Sequence, residues 1–221
     1  MTSSVQRKRI RKSPDDRRAE IVGAAAAVAL TEGLECITLR RIADELDVRP
    51  GLISHYFPAV EDLVAEAFGS AATAELETLL PADPPDGSSL NHLARFFAHT
   101  TGPDYDDMSR LWLNVRHLSR YRPVLRERVL GQETLWRGRL GGVVQAGVDR
   151  GEFRTEDANL TAVRILVVID GLASHANTGL GNHPSSVTRL AAATAERELG
   201  LPDGALTLPE PPARTSTDEQ S

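Results

Sequence analysis

The sequence predicts an all-α protein: a small three-helix N-terminal domain followed by a larger C-terminal helical domain, about nine helices in total. Three observations carry this. Apolar residues recur at three- and four-residue spacing along most of the chain, the mark of helices with one buried face. No convincing run alternates with period two, and the most β-branched stretch, Leu166–Ile169, is embedded in a long helical pattern. Ser, Thr, Pro and Gly stand where helices must start or stop.

The elements follow in order. Residues 1–12 are polar and basic, with Arg7, Lys8, Arg9, Arg11 and Lys12, and read as a disordered arm. Ser13-Pro14-Asp15-Asp16 opens the first helix: a capping hydroxyl, a proline at the first helical position and two acids at the positive end of the dipole. Ile21, Ala25, Val28 and Ala29 form its apolar stripe, and Gly33 ends it. Thr38 caps a short second helix to Leu46, Asp47-Val48-Arg49 is a turn, and Pro50 opens a third helix to about Phe57. A fourth helix with Leu63, Val64, Ala67 and Phe68 runs to about Leu80. The Pro/Gly/Asp/Ser stretch 81–89 follows as a candidate linker.

Beyond it the helical pattern continues over 90–101, roughly 105–120, roughly 123–150, 156–178 and 185–199. Leu111, Trp112, Val115 and Leu118 form one stripe. Leu125, Val129, Leu135, Leu140, Val143 and Val144 form the next. Residues 201–221, rich in Pro, Thr and charge, read as a disordered tail. The domains expected are therefore an arm at 1–12, a helix-turn-helix domain at 13–60, a helical domain at 61–200 and a tail at 201–221.

The chain has 221 residues, 41% hydrophobic and 25% charged, the balance of an ordinary globular protein. No uninterrupted apolar run is long enough to span a bilayer, and no apolar segment follows the basic N-terminus as in a secretory signal. No membrane partner is expected. The single cysteine, Cys36, forbids an intrachain disulfide and fits a cytoplasmic location. It reads as a small buried hydrophobe beside Leu34, Ile37 and Leu39, with a redox sensor as the other reading. The net charge of −6 is uneven: residues 1–57 hold ten Lys/Arg against eight Asp/Glu, and the remainder is strongly acidic. A basic head on an acidic body suits contact with phosphates, and also suits a plain solvated tail.

Three short helices with a tight turn between the second and third form a helix-turn-helix layout, whose third helix enters the major groove of DNA. Leu39, Ile42, Ala43, Leu46, Val48, Ile53 and Phe57 supply its buried face. Arg49, Pro50, Gly51, Leu52, Ser54, His55 and Tyr56 form an exposed face free of acids, which would repel phosphate. Double-stranded operator DNA is the partner this implies.

The run Thr38-Leu-Arg-Arg-Ile-Ala43, Leu46-Asp-Val48, Gly51, Ile53, Tyr56-Phe57 and Leu63 resembles the DNA-binding domain of the tetracycline-repressor (TetR) family. Gly51-Leu-Ile-Ser-His-Tyr-Phe57 is similar to the choline-sensing repressors of glycine-betaine synthesis within it, and Ile169-Asp-Gly-Leu172 looks like the dimer-forming eighth helix of that branch. The resemblance implies a ligand-responsive repressor that acts as a homodimer. It implies that Thr38 holds a phosphate, that Arg49, Pro50, Gly51 and Ser54 meet base edges or flanking backbone, and that His55 and Tyr56 reach phosphates. Arg40 and Arg41 are backbone candidates. Arg49 is also the best base reader, since a guanidinium bonds guanine bidentately. This chain departs from the family at Arg49, where Ser or Thr is usual, and at Ala59-Val60, where a small polar cap and a phosphate-binding lysine are usual. The arm Arg7–Lys12 is a candidate to compensate from the minor groove.

Two recognition helices one turn apart, roughly 34–36 Å, require a dimer on a pseudo-palindrome. Val163, Val167, Leu172, Leu190, Ala191 and Thr194 are the candidate interface, with a plain core role as the alternative. The resemblance also implies a cavity for a small-molecule effector of unknown identity. Its candidate liners are Phe96, Phe97, Thr100, Trp112, Val115, His117, Trp136, Leu140, Leu166 and Asp170, each of which also reads as core. Trp112 and Trp136 could stack on a cation such as choline.

Catalysis is not expected. The histidines 55, 92, 99, 117, 175 and 183 make no tight metal pair, and no nucleophile elbow, P-loop or dinucleotide fingerprint occurs. No cofactor or metal is expected. The competing readings are a helical interaction module with a degenerate helix-turn-helix, and an activator in place of a repressor.

Overall fold

In the computed structural model the described residues are 12–83, 87–100, 103–177, 187 and 189–208. Among them are nine α-helices and no strand, at 77% helix. The helices are α1 (Pro14–Glu32), α2 (Leu39–Glu45), α3 (Pro50–Tyr56), α4 (Val60–Leu79), α5 (Ser89–His99), α6 (Pro103–Ser119), α7 (Pro123–Asp149), α8 (Ala158–Ala176) and α9 (Leu190–Glu198). A single 3-10 turn, Leu34–Cys36, joins α1 to α2. The basic arm before Lys12 and the tail after Leu208 lie outside the described residues.

The caps behave as their chemistry requires. Ser13, Thr38, Ser88 and Asp157 each accept a backbone N–H from the first turn of the helix that follows. Gly33, at φ +98°, closes α1 in a conformation that suits only glycine.

The chain divides into two compact units, residues 1–73 with 111–131, and residues 74–110 with 132–221. The connection at 81–89, expected to be a linker, therefore joins two helices that both contribute to the second unit.

The core of the first unit consists of Ile21, Ala25 and Val28 of α1, Ile42 and Ala43 of α2, Ile53 of α3, Phe57, and Leu63, Ala67 and Phe68 of α4, all buried. Arg18 lies over the Phe57 ring, 4.4 Å from its centroid, and forms a two-pronged ion pair with Glu66. Phe68 meets Trp112 edge to face at 5.0 Å.

The second unit is built on Leu93 and Phe96 of α5, Trp136, Leu140 and Val144 of α7, Ala162 and Ile165 of α8 and Ala195 of α9, all buried. Glu152 ties the α5 N-terminus down, accepting from the Leu90 N–H at 2.8 Å, the Ser88 hydroxyl at 3.2 Å and Arg150 at 2.7 Å. Gly147 is obligatory here, because a Cβ would sit 2.1 Å from the buried Phe153 ring.

Helix α8 is long and apolar enough on average, at mean hydropathy 1.2, to cross a membrane. Arg164 breaks that pattern and pairs with Glu198 of α9 at 2.5 Å. Thr161, Ala162, Ile165 and Ile169 are buried within the unit, while Leu160 and Val167 stay exposed.

Three expectations are corrected. Cys36 is exposed, its thiol directed at the Glu32 carbonyl, because the 3-10 turn buries Leu34 and turns the residue two positions on outward. Leu135 is 52% exposed: α7 buries Gln132, Trp136 and Leu140 on one stripe, which puts position 135 outside it. Residues 201–208 are folded, with Leu206 buried, so the disordered tail does not begin at 201.

Candidate functional site

Helices α2 and α3 and the turn between them form the helix-turn-helix expected from the sequence. The Thr38 hydroxyl accepts the Arg41 N–H at 3.0 Å and stays exposed. Ile42 and Ala43 are fully buried; Leu39, Leu46 and Val48 are half-buried. Asp47 takes the left-handed conformation at φ +51°, which short polar residues tolerate, and the Val48 N–H bonds the Ala43 carbonyl at 2.9 Å. Together these hold a sharp turn.

Helix α3 then starts at Pro50, whose missing N–H costs nothing at a first helical position. Arg49 occupies the cap without a side-chain capping bond. It is exposed and makes no ion pair among the described residues. Pro50, Gly51 and His55 are exposed too, and Ser54 and Tyr56 are half-buried. The Ser54 hydroxyl donates to the Gly51 carbonyl at 3.2 Å, and His55 meets Tyr56 edge to face at 5.4 Å. A Cβ at Gly51 would meet nothing within 4 Å, so the fold itself does not require glycine there.

The two arginines of α2 differ. Arg40 is 87% exposed and only 4.0 Å from Asp44, a weak pair. Arg41 is held by Glu32 at 2.6 Å and Glu45 at 2.7 Å, and bonding to Glu32 and then to Glu45 raises its pKa above the ordinary value. The same contact lowers the pKa of Glu32. Arg40 is therefore the freer cation for a phosphate. Lys12 pairs with Glu20 at 2.5 Å. At the start of α4, Ala59 is exposed and Val60 half-buried, with no cation at either position.

The sequence overlooked Asn114 of α6. Its side-chain oxygen accepts the Leu34 N–H at 3.0 Å, and its amide donates to the Glu35 carboxylate at 2.8 Å. Nothing in helical periodicity singles out one half-buried asparagine.

The expected effector liners fall in both units. Trp112, Val115 and His117 belong to the first unit, whereas Phe96, Phe97, Trp136, Leu140, Leu166 and Asp170 belong to the second. His117 is exposed and meets Tyr121 edge to face at 5.7 Å. A cavity of about 520 Å³ does lie in the second unit, and of the expected liners only Phe97 and Thr100 border it. Ile169, Leu172, Ala173, Leu206 and Leu208 complete its apolar wall.

Of the expected pairing residues, Val167 is 62% and Leu190 45% exposed, and Val163 and Leu172 are half-buried. Ala191 and Thr194 are buried inside the protomer, because α9 turns that stripe toward α5 and α8. Among the described residues no group of three or more His, Cys, Asp or Glu is placed to hold a metal ion.

Comparison with known proteins agrees with this geometry. Residues 21–67 match the family described as bacterial regulatory proteins, tetR family, and residues 88–200 match the family described as BetI-type transcriptional repressor, C-terminal. No curated protein matches the chain. A Rhodococcus sp. protein described as a TetR-family transcriptional regulator superposes with a TM-score of 0.71 at 19% identity, over 84% of this chain and 99% of that one. A regulator from Saccharomonospora viridis, solved in complex with choline, gives 0.68 at 22% identity over 84% and 98%. FadR from Bacillus subtilis, solved in complex with stearoyl-CoA, gives 0.59 at 19% identity over 82% and 97%. At such identities these structures share the fold, and the two family matches supply the rest: the chain belongs to the TetR family of bacterial transcriptional regulators.

Proposed function

We propose that the chain represses transcription as a homodimer, placing α3 of each subunit in the major groove of a pseudo-palindromic operator and leaving it when a small molecule occupies the second unit. The observation that carries this reading is the α3 face. From Arg49 to Tyr56 it is accessible, free of acids and opened at Gly51, with the exposed Thr38 hydroxyl beside it in the motif. Phosphate contacts from Thr38, Arg40, His55 and Tyr56 fix register; Arg49 is the base reader. The repressor description of the matched C-terminal family supports repression over activation. A DNA-bound regulator of its own cell works in the cytoplasm.

Pairing is proposed through α8 and α9. Leu160 and Val167 of α8 and Leu190 of α9 are large, apolar and 45%, 62% and 45% exposed, an arrangement that leaves apolar area for a second copy to cover. The two liganded neighbours hold chemically unlike molecules, choline and stearoyl-CoA, so neither fixes the effector of this chain.

The test is a band shift with the DNA upstream of the protein's own gene, with stoichiometry from native mass. Two chains per pseudo-palindrome are expected. Val167→Glu places a charge on the pairing face and is expected to give a folded monomer that no longer shifts the DNA. A wild-type chain that binds this DNA as a monomer overturns the reading.

A further inference from the structure

The cavity of about 520 Å³ in the second unit has one wall made by the chain after α9. That segment is built, not draped. Helix α9 stops at Leu199, and Gly200 reverses the chain at φ +66°. The Leu201 N–H bonds the Glu196 carbonyl at 2.8 Å, and two further turns close at Ala205 and Thr207. Leu206 is 2% exposed, and its N–H donates to the carboxylate of Glu196 at 2.9 Å. Glu196 is itself 1% exposed, with the Arg189 guanidinium 3.8 Å away. A carboxylate buried this deeply must be bonded to be tolerated, so the strap and Glu196 hold each other in place. Residues 201–208 lie beyond the matched stretch 88–200, so this wall is an addition to the part of the chain that the family describes.

The chemistry of the cavity selects its occupant. Phe97, Ile169, Leu172, Ala173, Leu206 and Leu208 present carbon. Its charged liners are one acid, Asp106, and one base, Arg189, both exposed. Among the described liners these two charges cancel and neither is buried, a lining that favours an uncharged occupant over an ionic one. Among the described liners Phe97 is the one aromatic ring, and a single ring makes no cage around a quaternary ammonium.

We propose that this cavity is the effector site of the chain, that it takes a largely apolar uncharged molecule, and that the strap Leu201–Leu208, pinned on Glu196, sets how tightly that molecule is held. The proposal rests on the ligand-responsive reading above and names its ligand class.

The test uses the full chain with N-phenyl-1-naphthylamine, an uncharged apolar fluorophore, as probe. Saturable binding at one probe per chain is expected. Ala173→Phe fills the cavity and Leu208→Asp charges its wall; each is expected to weaken the probe tenfold or more. Glu196→Ala frees the strap and is expected to speed probe release. Melting temperature and operator binding of each variant report whether it is folded. If Glu196→Ala proves unstable, a chain ending at Gly200, which keeps the whole matched stretch, replaces it and is likewise expected to release the probe faster; release as slow as from the wild type overturns the role of the strap. No saturable binding to the wild type, or equal binding by Ala173→Phe and Leu208→Asp, overturns the site. Displacement of the probe by choline, at concentrations where an uncharged competitor fails, overturns the ligand class. A wild type that binds probe but no operator leaves the cavity standing and removes the regulatory reading instead.

Discussion

The side chain of Asn114 accepts the backbone N–H of Leu34 at 3.0 Å while its own amide reaches the Glu35 carboxylate. One residue of α6 thus satisfies both the turn between α1 and α2 and an acid upon it. Replacing Asn114 by Ala leaves the Leu34 N–H unbonded in a half-buried place, which costs about 1–2 kcal/mol. The same helix carries Ser109, a cavity liner. Asn114→Ala is expected to lower the melting temperature and to blunt the change in operator affinity on adding effector. Calorimetry with operator titrations, with and without effector, checks both.

Arg18 does two jobs in the first unit, covering Phe57 and pairing with Glu66. The Glu66 hydrogen bond raises the Arg18 pKa. The pair is partly exposed, so ion pairing and ring contact together contribute about 1 kcal/mol. Arg18→Leu keeps part of the stem's packing and is expected to lower the melting temperature by a few degrees. An unchanged melting temperature would show that the contact contributes nothing.

The acid limb of stability should carry a signature of Glu152. Burial works against its charge, but Arg150, the Leu90 N–H and the Ser88 hydroxyl outweigh that and leave its pKa below the ordinary value of 4.5. A depressed folded-state pKa gives stability that is present above 4.5 and lost as the pH falls through the lower folded value. Glu152→Gln is therefore expected to be less stable than wild type at neutral pH, the difference shrinking as the pH falls below 4.5. Urea unfolding at several pH values measures it.

Position 60 tests the salt account. Val60 stands where the family usually has a phosphate-binding lysine, and no cation replaces it at the start of α4. Val60→Lys adds one phosphate contact per subunit and is expected to steepen the dependence of log affinity on log salt by about two units for the dimer. Deleting residues 1–12 is expected to make it shallower if the basic arm supplies the missing contact. Operator titrations at four or five salt concentrations measure both slopes.

The helix-turn-helix was legible because its determinants are local. A capping Thr38, an Asp47 that tolerates the left-handed turn, a Pro50 at a helix start and the Ile42/Ala43/Ile53/Phe57 core all announce themselves within 20 residues. The effector cavity was not, because it is assembled from α5, α6, α8, α9 and the strap, far apart in sequence. Large aromatics drew attention to Trp112 and Trp136; both are buried, Trp112 edge to face with Phe68 and Trp136 beside Phe96, and neither borders this cavity. Leu206 and Leu208 were hidden in a stretch whose Pro and Thr content resembles a loose tail. Leu206 is tied by its N–H to the buried carboxylate of Glu196, ten residues upstream, and turns closed at Ala205 and Thr207 hold the rest.

The claim that α3 reads DNA is tested most directly by fluorescence anisotropy on the upstream pseudo-palindrome at physiological salt. Wild type is expected to bind at about 10 nM or tighter. Arg49→Ala and Tyr56→Ala are each expected to weaken binding by tenfold or more at unchanged melting temperature and dimer mass. Undiminished affinity in both variants would mean that the face from Arg49 to Tyr56 does not hold the operator.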